Sequence, residues 1–222
     1  LNSKNEYMNH YNEDYFNWQK NIGAFGGMAN LFKFNNHINK KSKIIDFGSG
    51  GGYLLANINC EEKIGIEINP HARKMANELG INTFSSADKI DDNWADLIIS
   101  NHALEHVENP LMILKPLYQK LKTNGKIVFV VPYEKKVPYK HGDINFHLFT
   151  WSEMNLGNLF SLAGFEVIKV SELKHKWPPG FMKIRKYFGD NLFNIFCRLY
   201  GTISSNTTQV KIVAKKTTHN NV

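Results

Sequence analysis

Two groups of residues in this chain of 222 residues have the types and the spacing that a chemical site needs. The first is the run Asp46-Phe47-Gly48-Ser49-Gly50-Gly51-Gly52, in which small residues let the backbone approach a ligand closely. The second is His102-Ala103-Leu104-Glu105-His106. In a helix, positions 102, 105 and 106 would share one face, where a histidine base and an orienting carboxylate can act together.

The glycine run has the surroundings of a nucleoside site. A short apolar strand precedes it, and a helix that begins at Tyr53 offers free N–H donors. The next strand ends in Glu67, whose carboxylate is well placed to accept hydrogen bonds from ribose hydroxyls. Tyr53 stands where a dinucleotide fingerprint starting at Gly48 has its last glycine, and no lysine closes the run as in a P-loop. The alternative is a tight turn beside a surface glutamate.

The pattern D-x-G-x-G-x-G resembles the first motif of class I S-adenosylmethionine-dependent methyltransferases. The resemblance covers roughly residues 43–172, through Glu67, residues 96–100, residues 104–110 and Ala163-Gly164-Phe165. It implies S-adenosylmethionine as the cofactor and a binding site made of these residues: Gln19, Asp46, Gly48, Ser49, Gly50, Gly52, Glu67, Ile68, Ala87, Asp88 and Asn101.

The resemblance also implies a role for each part of that site. Asp46 would lie near the ammonium group of the cofactor, and Glu67 would hold the ribose hydroxyls. Ile68 would pack on the adenine, and Asp88 would meet its amino group. Gln19 is a candidate donor to the cofactor carboxylate, with a plain surface residue as the equal alternative.

The histidine group lies just beyond the fourth strand, where the resemblance places the transferred methyl group. His102 is the better-placed base, and His106 is either a second base or a structural residue that ties its loop down. With Glu105 they could bind a divalent metal, but UbiG-type relatives, which methylate quinone precursors, carry a carboxylate where His102 stands. Because hard cations prefer oxygen ligands, we expect no metal. The H-x-x-E-H pattern also matches a zinc peptidase motif, which the nucleoside loop makes a chance match.

A further polar group follows the fifth strand, in the run His141-Gly142-Asp143-Ile144-Asn145-Phe146-His147. The resemblance implies that this loop faces the acceptor. Asp143 and His147 are candidate catalytic residues, whereas His141 is expected to be solvent-exposed. With Tyr133 and Tyr139 nearby, the loop suits hydrogen bonding and ring stacking to a polar acceptor such as a sugar.

The elements that must position these residues alternate between strand and helix. Seven strands are predicted, at residues 43–47, 63–68, 81–84, 96–100, 126–131, 165–173 and 207–215. The alternation predicts an α/β fold with a single Rossmann-like, doubly wound, parallel sheet. Residues 1–42 are predicted to be a helical lead-in broken at Gly26-Gly27, and residues 43–222 the cofactor-binding domain. Residues 173–206, with two short helices near 181–188 and 191–200, form an insertion before the last strand.

The composition limits the partners and the compartment. The net charge is +7, but only three of the 27 basic residues are arginines, the side chain that reads guanine edges, so nucleic acid is disfavoured. Cys60 and Cys197 have neither disulfide nor metal spacing, which indicates a reducing, cytoplasmic compartment. No apolar run approaches the roughly 20 residues of a membrane span. The chain opens at Leu1 with neither a start methionine nor a basic-then-apolar leader, which indicates processing or a domain cut from a longer polypeptide.

The insertion holds most of the excess charge, with six basic residues and one acidic residue among many aromatics. Aromatic spacing of this kind most often faces a core. The functional options are a lid over the acceptor, a dimer contact, or a patch that makes peripheral contact with an anionic membrane.

The lead-in, with Trp18-Gln19 and Phe25-Gly26-Gly27, resembles methyltransferases of surface-polysaccharide and glycan pathways. Together with the intact loop and the histidines, it predicts O-methylation of a sugar hydroxyl, with a small molecule or glycan as the acceptor. The alternatives are a UbiG-like O-methyltransferase of a phenol or quinone precursor and a non-catalytic, cofactor-binding partner subunit. A nucleic-acid methyltransferase is disfavoured, since the fourth strand ends in Ser100-Asn101-His102-Ala103 and lacks the N-P-P-Y type of signature.

Overall fold

The computed structural model describes residues 13–143, 145–204 and 207–217, with side chains from residue 22 onward. The described strands are β1 (Lys43–Phe47), β2 (Glu62–Ile66), β3 (Asn82–Phe84), β4 (Ala95–Asn101), β5 (Leu121–Glu134), β6 (Glu166–Leu173) and β7 (Thr207–Lys215). They form one seven-stranded sheet in the order β3-β2-β1-β4-β5-β7-β6, with helices on both sides. The expected doubly wound α/β fold is confirmed.

The helices begin where local sequence signals place them. They are α1 (Glu13–Asn30), α2 (Tyr53–Ala56), α3 (Pro70–Glu78), α4 (Pro110–Lys120), α5 (Glu153–Leu162) and α6 (Phe181–Ile203). At α3, the side chain of Asn69 accepts hydrogen bonds from two backbone N–H groups, and Pro70 occupies the first turn, where its missing donor costs nothing. At α5, Ser152 and Asn155 form a reciprocal capping box.

The described residues group into two compact units. The first takes in those of Leu1–Ser100 and Gln119–Lys126, the second those of Asn101–Tyr118 and Ile127–Val222. In the first unit, β1 pairs in parallel with both β2 and β4. Ile44 and Ile45 are fully buried, as expected for adjacent residues of a strand covered on both faces. The glycine run follows the carboxyl end of β1.

The second unit has its own aromatic core. Phe129 of β5 packs edge-to-face on Phe160 of α5, with ring centroids 5.5 Å apart. Phe165 extends the cluster, lying 5.5 Å from Phe160 and 5.1 Å from Tyr118. This packing holds β5 and α5 together, and β5 leads directly into the polar loop that contains Asp143 and His147.

Two local expectations were wrong. The sheet is mixed, because β6 and β7 pair antiparallel; alternation of strands and helices does not fix strand direction, and doubly wound sheets often carry an antiparallel strand. Gly26-Gly27 does not break the lead-in, since α1 continues to Asn30. A Cβ atom added at Gly27 would lie 2.4 Å from the backbone oxygen of Tyr53, so this glycine serves close packing.

The insertion folds as expected from the sequence. The 23 residues of α6 are interrupted at Gly189, whose φ of 73° and ψ of 176° are not helical, so the segment consists of two helical pieces. The part of the chain that the structure describes contains no helix long and apolar enough to cross a membrane.

Candidate functional site

The loop after β1 needs glycine at three positions. Gly48, Gly50 and Gly52 all have positive φ, at 73°, 52° and 77°. A residue with a Cβ atom is strained in this region of φ. At Gly52 the space is also limited, because an added Cβ atom would lie 3.0 Å from that of Ala76. The alternating glycines of the sequence therefore correspond to a backbone that only glycine adopts readily.

The loop is held by neighbouring strands of the first unit. The N–H groups of Gly48 and Ser49 donate to the carbonyl of Ile66 at 2.9 and 3.2 Å. The hydroxyl of Ser100 donates to the carbonyl of Phe47 at 2.8 Å. Because these contacts come from β2 and β4, the loop is fixed by the sheet and does not depend on a ligand for its shape.

Glu67 follows β2 and bonds the glycine loop directly. One carboxylate oxygen accepts from the N–H of Gly50 at 2.9 Å, and the other accepts from the N–H of Asn69 at 2.8 Å. The backbone of Ile68 also bonds this carboxylate, which retains the capacity to accept a ribose hydroxyl. Arg73 fixes the backbone on the same side by donating to the carbonyls of Glu67 and Ile68.

Asp46 places a second carboxylate in the same region. Its side chain is 2% exposed, and its Oδ1 atom has no hydrogen-bond partner among the described residues. Burial, and then the charge of Glu67, raise the pKa of Asp46 well above its ordinary value. Burial also raises the pKa of Glu67, although hydrogen bonds from Asn69 and Gly50 oppose it. Two neighbouring carboxylates whose charges are costly form a site for a cation.

The remaining cofactor candidates are placed as follows. Ile68 is half exposed, and Asp88 lies in a one-turn helix, Ala87–Lys89, where it accepts a hydrogen bond from the hydroxyl of Ser86 at 3.1 Å. Ser49 is buried, with an Oγ atom that has no partner among the described residues. Gln19 lies in α1, but its side chain is outside the described part. Asn101 ends β4 and belongs to the second unit.

His102 belongs to the second unit and is not helical. Its φ is 57°, and its N–H donates to the carbonyl of Val130 at 2.8 Å. Leu104–His106 forms a single 3-10 turn, so the helix considered for residues 102–106 does not form. The expected pair nevertheless forms, since Nδ1 of His102 lies 3.1 Å from Oε1 of Glu105.

Both ring nitrogens of His102 face hydrogen-bond acceptors. Oε1 of Gln209 lies 3.2 Å from Nε2 of His102. The amide nitrogen of Gln209 donates to the carbonyl of His175 at 2.6 Å, and this bond sets which way the amide faces. A neutral imidazole has one N–H and satisfies one of these acceptors, whereas the imidazolium satisfies both. The contacts with Glu105 and Gln209 fix the orientation of the His102 ring.

Glu105 provides the fixed charge beside His102. Its side chain is fully buried. Burial alone would raise the pKa of Glu105, but the hydrogen bond from His102 and the charges of His102 and His106 outweigh it, so the pKa is lowered. Its Oε2 atom has no hydrogen-bond partner among the described residues. Its backbone carbonyl accepts from the N–H groups of Leu148 and Phe149, which ties the loop after β5 to this turn.

His106 and His147 lie side by side. Their rings meet edge-on with centroids 5.1 Å apart, and Nδ1 of His147 lies 3.1 Å from Oε1 of Glu134. Burial lowers the pKa of His106 despite the charge of Glu105, which favours the neutral ring. Glu105, His106 and His147 each offer a ligand atom within 4.8 Å of the others, a spacing that a metal ion could bridge. Asp143 is not in this group, and His141 is exposed as expected.

Comparison with known proteins identifies the family. Residues 23–170, more than half of the chain, match the family described as Methyltransferase domain. The chain belongs to this family. It is 25% identical over 132 residues to an uncharacterized methyltransferase of Schizosaccharomyces pombe, a match that covers 52% of this chain and 51% of the relative. The chain thus spans about half the length of the curated relative it matches.

Solved structures show the same fold. A SAM-dependent methyltransferase from Archaeoglobus fulgidus superposes with a TM-score of 0.65 at 18% identity, covering 91% of this chain and 99% of that one. Phosphoethanolamine N-methyltransferase 2 of Haemonchus contortus, in complex with phosphomonomethylethanolamine and S-adenosylhomocysteine, gives a TM-score of 0.58 at 13% identity. That match covers 87% of this chain and 57% of the Haemonchus enzyme.

S-adenosylmethionine is the cofactor of this methyltransferase domain, as the resemblance implied. The residues of the first unit fit it. The loop glycines leave room for close backbone approach, and Glu67 retains the capacity to accept a ribose hydroxyl. The unpartnered Oδ1 atom of Asp46 suits the ammonium or sulfonium charge of the cofactor.

Sequence reasoning missed two residues beside the glycine loop and two beside the histidine group. Asn69 and Ser100 had local signals, as a cap before a proline and as a hydroxyl at a strand end. Gln209 and Glu134 had none, because their partners His102 and His147 lie 107 and 13 positions away in the sequence. Polar residues near strand ends are common, and only the fold shows which ones meet a histidine.

Proposed function

We propose that this methyltransferase transfers a methyl group from S-adenosylmethionine to a sugar hydroxyl in glycan or polysaccharide biosynthesis. The observation that carries the proposal is the His102–Glu105 pair, in which a fully buried carboxylate lies 3.1 Å from the ring of a histidine whose side chain is 35% exposed. A hydroxyl is a weak nucleophile until its proton is removed. A positioned histidine with a carboxylate that orients it is suited to that task.

In the proposed reaction, the acceptor hydroxyl takes the place of Gln209 at Nε2 of His102. The neutral ring keeps its Nδ1–H on Glu105, so the Nε2 lone pair is free to accept the hydroxyl proton. The proton moves as the bond from oxygen to the methyl carbon forms and the bond from sulfur to that carbon breaks. The cofactor supplies the methyl group and leaves as S-adenosylhomocysteine. The resulting imidazolium is stabilised by Glu105, which is already ionised.

The residues around the glycine loop hold the cofactor in the roles that the resemblance implies. Asp46 holds the ammonium group, and Glu67 holds the ribose hydroxyls. Ile68 and Asp88 contact the adenine. The full proposed set is Gln19, Asp46, Gly48, Ser49, Gly50, Gly52, Glu67, Ile68, Ala87, Asp88 and Asn101.

The choice of a sugar is supported by the loop after β5. Tyr139 is 88% exposed, and Tyr133 stacks under the ammonium group of Lys135 at 4.7 Å. An exposed aromatic ring in a loop that also carries the polar side chains of Asp143 and His147 suits the mixed surface of a sugar. The resemblance of the lead-in to glycan-pathway methyltransferases supports the same class of acceptor.

A second candidate is O-methylation of a phenol or quinone precursor, as in UbiG-type enzymes. The group formed by Glu105, His106 and His147 favours it, because a metal bound there could orient a catechol. Two imidazoles and one carboxylate suit a transition metal better than Mg²⁺. We keep the proposal without a metal, so activity is expected to survive a strong chelator.

A labelled-methyl transfer screen tests the proposal. The purified protein is incubated with labelled S-adenosylmethionine and separate sets of sugar nucleotides, glycans, phenols and RNA. We expect the parent protein to transfer label to a sugar or glycan, and the His102→Ala variant to transfer none. Label in a phenol that is lost on chelation would establish the second candidate. Label in no acceptor, with cofactor binding intact by calorimetry, would indicate a non-catalytic subunit.

A further inference from the structure

Helix α6 packs against the second unit with one narrow face. Phe193, Cys197 and Gly201, spaced four residues apart, are buried. At Gly201 an added Cβ atom would lie 2.9 Å from the backbone nitrogen of His175, so the helix rests closely on that segment. Phe193 contacts the ring of His175 with centroids 6.4 Å apart. This face accounts for the core-facing part of the insertion.

The opposite face of α6 is apolar and exposed. Its five residues recur at helical spacing and form one stripe along the second piece of the helix: Leu192, Ile195, Phe196, Leu199 and Ile203. Their exposed fractions run from 40% at Phe196 to 82% at Ile203. In the first piece, Met182, Tyr187 and Phe188 are also exposed, between 49% and 73%. Contiguous apolar exposure on this scale marks an interaction surface.

Two cations on the first piece of α6 and one on the second are not neutralised. Lys183, Lys186 and Arg198 are exposed and form no ion pair with any residue in the described ranges. Residues 173–206 carry six basic residues and one acidic residue, Asp190, which is paired with Arg185. The surface therefore combines exposed apolar side chains with uncompensated positive charge.

We propose that this face of α6 lies on the surface of an anionic lipid membrane. A helix with an apolar stripe flanked by Lys and Arg is the form that binds in the plane of a lipid interface. A second copy of the chain is disfavoured as the occupant, because two such faces would bring like charges together. The proposal is independent of the acceptor and of methyl transfer, since it concerns where the protein binds.

Co-sedimentation with vesicles tests the proposal in the absence of cofactor and acceptor. The full chain should bind vesicles of equal parts phosphatidylcholine and phosphatidylglycerol, and bind phosphatidylcholine alone far more weakly. The double variant Lys183→Gln/Lys186→Gln should lose about tenfold or more in affinity for the anionic vesicles. Leu192→Gln/Ile203→Gln should lose a similar factor. Both pairs are exposed, so folding is expected to be unaffected, and circular dichroism checks this.

Matched controls change equivalent residues elsewhere on the surface. Lys74→Gln/Lys126→Gln removes two exposed cations, and Met112→Gln/Leu162→Gln removes two exposed apolar side chains. Both controls should bind anionic vesicles like the parent chain. No binding to anionic vesicles, or equal losses in the α6 variants and their controls, would overturn the proposal. A dimer in sedimentation velocity that only Leu192→Gln/Ile203→Gln dissociates, without vesicle binding, would assign the face to a second copy.

Discussion

The glycine loop and the histidine group of this methyltransferase are built in opposite ways. The loop and its partner Glu67 follow two consecutive strands, and the backbone N–H of Gly50 bonds the carboxylate of Glu67. The histidine group is made of side chains from distant parts of the chain, since Glu105 meets His102 locally but Gln209 reaches it from β7. A backbone site leaves a local pattern in the sequence, whereas a side-chain network does not.

The two regions also differ in their electrostatics. In the loop region, burial raises the pKa values of both Asp46 and Glu67, and the charge of Glu67 adds to the shift at Asp46. In the histidine group, Glu105 has a lowered pKa because His102 and His106 compensate its charge. The first region suits a cationic ligand, whereas the second contains the histidine that we propose as the base.

Removing the base should give the largest effect. His102→Ala is expected to lower kcat by about a hundredfold to ten-thousandfold, the range for loss of a general base. Cofactor affinity should stay unchanged, because the glycine loop does not depend on this side chain. Steady-state kinetics and calorimetry measure the two quantities. His141→Ala, which changes an exposed histidine of the same unit, should leave both unchanged; equal losses in kcat and cofactor affinity for His102→Ala would mean a structural role.

Removing the loop carboxylate should act on binding. Glu67→Ala loses hydrogen bonds to Gly50 and the proposed ones to the ribose, and charge-assisted bonds are worth about 1.5–3 kcal/mol each. Affinity for S-adenosylmethionine should fall at least tenfold by calorimetry. Glu78→Ala, an exposed acid of the same unit, is the matched control. An unchanged affinity in Glu67→Ala would contradict the assignment.

The close contact between α1 and the loop helix can be tested by adding one methyl group. Gly27→Ala would force its Cβ atom against the backbone of Tyr53, and overpacking of this kind costs about 1–3 kcal/mol. Gly157→Ala is the control, because it lies inside α5 with its nearest contact at 3.4 Å and gains helix propensity. Urea denaturation should show the first variant destabilised and the second unchanged or stabilised. Equal stabilities would mean that this packing is not tight.

The raised pKa values predict a modest pH dependence of cofactor binding. A bound cation favours the ionised forms of Asp46 and Glu67. The affinity for S-adenosylmethionine should therefore rise with pH above about 4. The rise should be about tenfold for each unit by which the bound cofactor lowers the pKa of these carboxyl groups. The ligand-free fold, in contrast, loses stability as pH rises through the raised pKa of Asp46, because its ionised form is disfavoured only when folded. Asp46→Asn should therefore raise the Tm of the ligand-free protein and flatten the pH dependence of binding. A Tm that falls in this variant would show that Asp46 is already compensated.

The extent of prediction from sequence follows the same division. The tight bend at Gly48, Gly50 and Gly52 could be predicted, because glycine spacing reports on backbone conformation. The order of the strands in the sheet determines both the pairing of β6 with β7 and the contact of Gln209 with His102. No local sequence pattern encodes that order. The expected cytoplasmic compartment and the absence of nucleic acid as a partner stay predictions.

A crystal structure of the protein with S-adenosylhomocysteine tests the central claim most directly. We expect the adenosine in the crevice beside the glycine loop, with both ribose hydroxyls donating to the carboxylate of Glu67 and the amino-acid portion beside Asp46. An adenosine bound elsewhere, or a ribose that makes no contact with Glu67, would contradict the account.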